Sequence, residues 1–547
     1  MSDAATPGAT SASERTKPYA WLVLFMLAFI YIFNFLDRQL MSVLIQPIKA
    51  DLGFTDEQMG YMTGFWFALF YTGFGVIVGF LADRTSRRNI LFAGAFLWSI
   101  FTALCGFAKD YPTMLVSRIG VGVGEAAGAP PSYSIISDYF PPHRRAQALA
   151  LFSLGVPFGQ AAGVAFGAKI DGIWGWETAF ISIGIAGAVA AVLMLLIVRE
   201  PKRGAMDHSA TVTREQAEAT AAEKSGFFET FWEFINRPAL LWAALGCGFS
   251  AFVGYVALTW NAAFMQRTMA LSSDDTALWY ASMLLVSMGL GTWVSGALTD
   301  FLAKRSKVWY ALVPGIAMGL SAPFWYFFVM APNWQTALVI LSAPTFLTIM
   351  YLAPALALIQ NSVKPSQRTM AGAILLMVLN MIGLGGGPTL AGAMSSNITL
   401  AGIVERLGIS ATEAGALAKM TAAQLKEQPA EIAAAVSAAS NHGLQTALLW
   451  ITPFYAVAVF FILLEAFAIH REVKAGGPVR DGGARLGIVL LAMGVAGFTA
   501  MYLMKPLGVW FADWMGATQI VLLALATGFG LLLCFKALGR RNAAATA

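Results

Sequence analysis

The chain has 547 residues, of which 58% are hydrophobic and only 12% are charged, and its mean hydropathy is +0.67. Soluble globular proteins carry roughly 25% charged residues, so the composition excludes a soluble fold and predicts an all-α polytopic membrane protein. The net charge of +5 is modest and falls in predicted loops, which indicates membrane topology and argues against nucleic-acid binding.

The sequence lacks the patterns of a disulfide-bonded or metal-binding protein and of a nucleotide-hydrolysing transporter. The three cysteines, Cys105, Cys247 and Cys534, lie far apart in apolar runs, which indicates neither a disulfide framework nor a metal site. The sequence has no Gly-x-x-x-x-Gly-Lys-Ser/Thr phosphate loop, so direct coupling to nucleotide hydrolysis is not expected. We therefore expect no metal and no cofactor.

Fourteen apolar runs follow a small, polar tail at residues 1–18, for which we predict disorder. Each run reaches the ~20 residues that span about 30 Å of hydrocarbon. No small-residue cleavage site follows the first run, so we interpret it as an uncleaved signal anchor. The runs lie at 19–45, 57–82, 89–108, 111–138, 145–169, 176–198, 239–266, 276–302, 308–331, 334–362, 368–395, 444–469, 485–504 and 509–536.

The charges of the connecting segments predict the orientation. Arginine and lysine concentrate in alternate connections, which the positive-inside rule assigns to the cytoplasm. An even number of helices then places both termini in the cytoplasm, and we expect a location in the inner (cytoplasmic) cell membrane. The cationic connections lie at 84–88, 144–145, 199–203, 304–307, 364–368 and 471–474.

The connection after the second run carries a motif that recurs in the second half. Gly79 is followed four residues later by Asp83 and then by the cations Arg84, Arg87 and Arg88. An internal repeat with an offset of 217 residues indicates two related halves. The second copy consists of Gly296, Asp300, Lys304 and Arg305.

This repeat predicts two six-helix bundles, at 19–198 and 238–470, joined by a cytoplasmic linker at 199–237. Within the linker, an amphipathic stretch near 227–234 is typical of an interfacial helix. An Ala-rich insertion at 397–443 carries two helix-capping patterns, Ser410-x-x-Glu413 and Thr421-x-x-Gln424, which predict short surface helices. Residues 471–547 add a two-helix hairpin and a tail.

The repeated motif allows two interpretations. It can simply hold a positive turn on the cytoplasmic side. It can also form a gate, in which Asp83 meets the N-terminus of a helix in the other half and Arg87 meets Asp138. Because both halves carry the motif, we favour the gate.

Two helical halves with these turns resemble the major facilitator superfamily over residues 19–470. Arg118, Gly122 and Gly124 match its Arg-x-x-x-Gly-x-Gly motif. The segments 33–38 (Phe-Asn-Phe-Leu-Asp-Arg) and 124–131 (Gly-Glu-Ala-Ala-Gly-Ala-Pro-Pro) resemble the Spinster-type subfamily. The insertion 397–443 and the terminal hairpin lie outside the twelve-helix pattern.

Four ionisable residues, Asp37, Arg38, Arg118 and Glu125, lie well inside predicted spans. Each such group costs at least ~2.5–3.5 kcal/mol unless it is paired or solvated, which makes it a functional candidate. The resemblance implies that Asp37, Arg38 and Glu125 form a proton-coupling and binding site. We favour Glu125 as the proton carrier and Arg38 as its exchangeable partner. The alternative is a fixed ion pair that only orients two helices.

In the later helices we expect charges only at the helix ends, with polar side chains lining a cavity. The cavity-lining candidates there are Asn261, Gln360 and Asn380, and in the first half they are Asn34 and Tyr133.

These features predict a monomeric, proton-driven carrier that works by alternating access. The resemblance implies an amphipathic lipid of the lysophospholipid or sphingoid type, or a hydrophobic organic anion, as its substrate. One alternative is uptake of a small carboxylate, a sugar acid or aromatic acid, held by Arg38 and Arg118. Another is a non-transporting receptor or scaffold. An enzyme is not expected, since no nucleophile and base, or metal ligands, lie at one depth.

Overall fold

The computed structural model of the chain describes residues 18–82, 84–203, 206, 227–363 and 367–480, and all regular secondary structure there is helical. Eleven segments within these ranges are long and apolar enough to cross a membrane. The predicted all-α polytopic fold is confirmed. The N-terminal tail, Asp83, most of the linker and the hairpin at 485–504 and 509–536 lie outside the described residues, so the count of fourteen spans stays a prediction.

The described chain forms two compact units, and each mixes segments from different parts of the sequence. The first contains residues 18–47, 66–82, 84–203 and 273–285. The second contains residues 48–65, 227–272, 286–363 and 367–480.

The helices up to residue 197 are interrupted by short breaks. They are α1 (Pro18–Val43), α2 (Ile45–Leu52), α3 (Asp56–Thr63), α4 (Phe65–Ala82), α5 (Arg87–Cys105), α6 (Tyr111–Glu125), α7 (Ala129–Tyr139), α8 (Pro142–Ser153), α9 (Gly155–Trp174) and α10 (Trp176–Ile197).

The later helices include two π-helical turns, Thr276–Tyr280 and Asn380–Gly386, and a 3₁₀ turn, Ile349–Tyr351. The helices are α11 (Phe227–Asn236), α12 (Pro238–Met269), α13 (Ala281–Ala303), α14 (Trp309–Val329), α15 (Trp334–Thr348), α16 (Leu352–Ser362), α17 (Arg368–Leu379), α18 (Gly387–Leu407), α19 (Ala411–Ala418), α20 (Ala422–Lys426), α21 (Ala430–Leu449) and α22 (Thr452–Ala475).

The predicted fourth span, 111–138, is not one helix. It divides into α6 and α7, and α6 ends at Glu125. The cause is local: Pro130 and Pro131 have no backbone N–H to donate to the preceding turn, and a proline disfavours helical geometry in the residue before it. The Gly128 N–H instead donates to the Glu125 carbonyl at 2.9 Å. The break therefore places the Glu125 side chain at a helix end.

The insertion also differs from its predicted boundaries. The helix before it, α18, continues to Leu407, and the helix after it, α21, already begins at Ala430. The first part of α21 is alanine-rich, and alanine has the highest helix propensity. Both predicted capping boxes are confirmed, at the starts of α19 and α20. The amphipathic linker stretch forms α11.

The contact between α1 and α9 depends on a glycine at every fourth position of α9. A Cβ atom on Gly159 would lie 2.5 Å from the Ile32 carbonyl oxygen, and one on Gly163 would lie 2.5 Å from the Leu36 carbonyl oxygen. Because glycine has no side chain, the backbones of α1 and α9 can approach each other closely, as is common for helices in membranes that carry small residues at their interface. The close approach keeps α1, which carries Asp37 and Arg38, in a defined position.

We predict that Gly159→Val lowers the melting temperature of the purified protein, because the new side chain forces α1 and α9 apart at a cost of about 1–3 kcal/mol. The measurement is thermal unfolding in detergent, and the matched control is Gly73→Val, since nothing lies within 4 Å of a Cβ there. Equal melting temperatures for the two variants would contradict this account of the packing.

Candidate functional site

The four deep charges meet inside the first unit as two ion pairs. Arg38 on α1 donates through Nε to Glu125 Oε2 at 2.5 Å. Arg118 on α6 lies 3.4 Å, Nη1 to Oδ2, from Asp37 on α1. The Glu125 side chain has no exposed surface, and those of Asp37 and Arg118 are 2% and 3% exposed. The Arg38 side chain keeps 12% exposure, so it is the most accessible member.

Aromatic rings complete the environment of Arg38. Its guanidinium carbon lies 4.4 Å from the ring centre of Tyr71 and 5.2 Å from those of Phe35 and Phe67. Phe67 also faces Arg118 at 5.2 Å. Cations are attracted to ring faces, and the attraction grows when water is excluded. Arg38 is therefore stabilised in place even if Glu125 no longer carries a negative charge.

The two carboxyl groups are neighbours as well. The Asp37 carboxylate accepts a hydrogen bond from Thr102 Oγ1 at 2.8 Å and lies within interaction range of the Glu125 carboxyl. Adjacent carboxylates repel each other. One added proton on this pair would remove that repulsion and weaken the bond between Arg38 and Glu125. The binding of a proton can therefore release Arg38 from Glu125 and make the guanidinium available to another anionic partner.

The cavity-lining candidates have different environments, and their role stays a prediction. Asn34 is buried beside Gly128, and Tyr133 is 39% exposed with its ring against Phe152. In the second unit, Asn261 is buried, and its Oδ1 accepts no hydrogen bond from the described residues. Gln360 is exposed, and Asn380 begins the second π-helical turn.

The gate motif of the first half is a buried network. Arg87 donates through Nη1 to Asp138 Oδ2 at 2.5 Å and to Ser134 Oγ at 2.7 Å, so the predicted contact of Arg87 with Asp138 is present. The Arg88 guanidinium donates to the Leu195 carbonyl at 2.8 Å. Arg84 lies on the surface with its guanidinium carbon 3.5 Å from the Phe80 ring centre.

The second copy of the motif differs from the first. Asp300 is exposed, and a Cβ on Gly296 or on Gly79 would meet nothing within 4 Å. Among the described residues, no ion pair forms at Asp300. A gate that engages both copies remains a prediction, and Asp83 lies outside the described residues.

Sequence reasoning missed Glu200 in this network. Its carboxylate accepts hydrogen bonds from Arg87 Nε and the Arg88 backbone N–H, both at 2.8 Å, and from Ser86 Oγ at 3.0 Å. Partial burial alone would raise its pKa, but these hydrogen bonds and the charge of Arg87 lower it. The signal was present in the sequence as one acid among the cations at 199–203.

A second missed cluster surrounds Asp56 in the second unit. Arg267 donates to the Asp56 carboxylate at 2.6 and 2.7 Å, and Ser395 Oγ donates to it at 2.6 Å. Lys49 forms a further ion pair with Asp56. All these groups lie toward the side predicted to face outward. One carboxylate thus holds three elements, α2, α12 and α18, to α3.

The expectation that later helices carry charges only at their ends is wrong. Glu465 lies within α22 and is 3% exposed. The twelfth run is predicted to end at residue 469, which places Glu465 near a helix end. The helix in fact continues to Ala475, so Glu465 lies in its interior.

A family model described as Major Facilitator Superfamily matches residues 27–388. A crystal structure of a bacterial homologue of the human lysosomal transporter Spinster, inward-facing and unoccupied, is 30% identical with a TM-score of 0.74. The alignment covers 84% of this chain and 99% of that one.

Two further relatives are similar over most of their length. An MFS-type efflux pump of Mycolicibacterium smegmatis is 28% identical over 391 residues, which is 71% of this chain and 88% of the pump. Protein spinster of Drosophila melanogaster is 26% identical over 517 residues, which is 88% of this chain and 82% of that protein.

The Asp56 cluster generates a prediction about alkaline stability. Burial, reinforced by the charge of Arg267, lowers the pKa of Lys49 from 10.5 to about 8. Between these values the unfolded chain binds more protons, so the free energy of unfolding should increase as the pH rises, by up to ~3 kcal/mol. Denaturant titrations across this range should show the increase in the unaltered protein and not in Lys49→Met.

The matched control for this measurement is Lys109→Met, because Lys109 is exposed. It should retain the full increase. A pH profile of Lys49→Met that coincides with that of the unaltered protein would show that Lys49 is not the group responsible.

Proposed function

Because the chain belongs to the major facilitator superfamily and is a Spinster-type transporter, we propose that it is a proton-coupled secondary carrier of an amphipathic anion. The substrate class is a lysophospholipid or sphingoid lipid, or a hydrophobic organic anion. Alternating access moves it across the inner cell membrane with both termini in the cytoplasm. In this proposal the carrier works as a monomer.

The observation that carries the proposal is the enclosed pair of Arg38 and Glu125 beside the Asp37 carboxyl. Protonation of Glu125 neutralises the carboxylate that pairs with Arg38, while the surrounding rings keep the guanidinium in place. Arg38 can then accept the anionic head group of a substrate. When the proton leaves, Glu125 competes for Arg38 again and displaces the head group. Binding of the proton and binding of the anionic substrate are thus coupled through the Arg38 guanidinium.

The apolar surroundings support an amphipathic cargo. Phe35, Phe67 and Tyr71 line the approach to Arg38, and aromatic faces accommodate an acyl chain more readily than a hydrated sugar acid. A small carboxylate would need more polar partners within hydrogen-bond reach of its hydroxyl groups.

We predict that Glu125→Gln separates exchange from accumulation. The amide resembles the protonated acid, so the variant should still exchange labelled lysophosphatidylglycerol across liposomes without a gradient. It should not accumulate the lipid in response to a pH gradient, because no proton can leave. Arg38→Ala should reduce both activities to the level of protein-free liposomes. Glu405→Gln, an exposed acid on α18, is the matched control and should behave like the unaltered protein.

Several outcomes would overturn parts of the proposal. Gradient-driven accumulation by Glu125→Gln would reduce the Arg38–Glu125 pair to a structural contact between α1 and α6. Competition by short organic acids, without competition by lipids, would select the small-carboxylate alternative. Specific binding without any flux would indicate a receptor or scaffold.

A further inference from the structure

Glu465 on α22 is a buried acid that the transport mechanism proposed above does not use. Of the five buried acids in the described ranges, the other four, Asp37, Asp56, Glu125 and Asp138, each contact an arginine. Glu465 contacts no cation there, and its Oε1 has no hydrogen-bond partner. A carboxylate enclosed in this way loses its hydration without compensation. Such an environment favours a neutral side chain over a carboxylate.

The surroundings of Glu465 are apolar on both sides. Neighbouring residues of α22 belong to a buried cluster with residues of α12, α14 and α16. Members of this cluster include Trp242, Ala311, Leu358, Phe461, Ile462, Ala466 and Ile469. No polar group of the cluster is positioned to stabilise a negative charge, so ionisation requires water or a cation from elsewhere.

The titratable groups near Glu465 do not supply that cation. On α12 the neighbouring group is the Cys247 thiol, and on α14 Tyr310 packs against the apolar cluster. On α22 itself, His470 and Arg471 are exposed. Glu472 is already paired with Arg237, at 2.7 and 2.8 Å.

A small crevice lies at the end of α22 that is predicted to face the cytoplasm. It has a volume of about 10 Å³, roughly the space that one water molecule needs. Ala468 lines it and lies three residues after Glu465, one turn away on nearly the same helix face. The other lining residues are Pro238, Ala239, Arg471, Glu472 and Val479.

We propose that Glu465 is a second proton-binding site of this transporter, in addition to the site at Glu125, and that it exchanges its proton through this crevice. In the present structure the crevice is narrow and the proton is retained. Any movement that separates α12 from α22 at this end admits water to the carboxyl group and allows the proton to leave. Release at Glu465 therefore accompanies opening of the second unit at its predicted cytoplasmic end.

The test needs no substrate. Infrared difference spectra of the full chain in liposomes detect the C=O stretching band of a protonated carboxyl, which shifts in D₂O. We expect such a band in the unaltered protein at neutral pH, its loss in Glu465→Gln and its retention in Glu125→Gln. We also expect it to disappear reversibly as the pH is raised from mildly acid to alkaline values. Glu405→Gln serves as the control at an exposed site.

Glu465→Leu provides a second variant, because a neutral apolar side chain suits the cluster and should preserve folding, as monitored by size-exclusion chromatography and circular dichroism. A band that is unchanged in both Glu465 variants would show that no proton is held there. A band that is lost in both variants but does not change with pH in the unaltered folded protein would reduce Glu465 to a structural acid. Either result would overturn the proposal for Glu465. The proposed role of Glu125 would be unaffected, because it is tested by transport measurements on Glu125→Gln and Arg38→Ala.

Discussion

A charged group buried away from water must find a partner of opposite charge, and this constraint organises the first unit. Arg38 and Glu125 satisfy each other, as do Arg118 and Asp37. The residues of each pair come from α1 and α6, so the long arginine side chains link these two helices. The glycines of α9 keep α1 in a defined position, and the break after Glu125 places that side chain at the end of α6.

The same constraint explains why the remaining buried charges occur in small networks. Arg87 is shared by Asp138 and Glu200, and Asp56 is shared by Lys49 and Arg267. In each network the loss of the shared residue, Arg87 or Asp56, would leave its partners without compensation, which is costly for a buried charge. Glu465 obeys the constraint differently, because a bound proton makes the partner unnecessary.

Much of the fold could be predicted because its signals are local. Apolar runs of membrane-spanning length, the capping boxes at Ser410 and Thr421, and the amphipathic stretch of α11 all appear as predicted. The errors arose where a run looked continuous. Pro130 and Pro131 divide one predicted span, and α18 and α21 both extend into the predicted insertion. A hydropathy pattern measures how apolar a segment is, and it does not register a missing backbone hydrogen bond.

The sequence by itself determined the membrane class, the family and the four deep charges of α1 and α6, because composition, spacing and depth along a helix are properties of neighbouring residues. Only the tertiary structure decided which charge meets which. Arg38 and Glu125 are 87 residues apart, and Asp56 and Ser395 are 339 apart. Contacts over such separations depend on how whole helices pack, and the isolation of Glu465 is decided in the same way, by the apolar side chains that α12 and α14 bring to it.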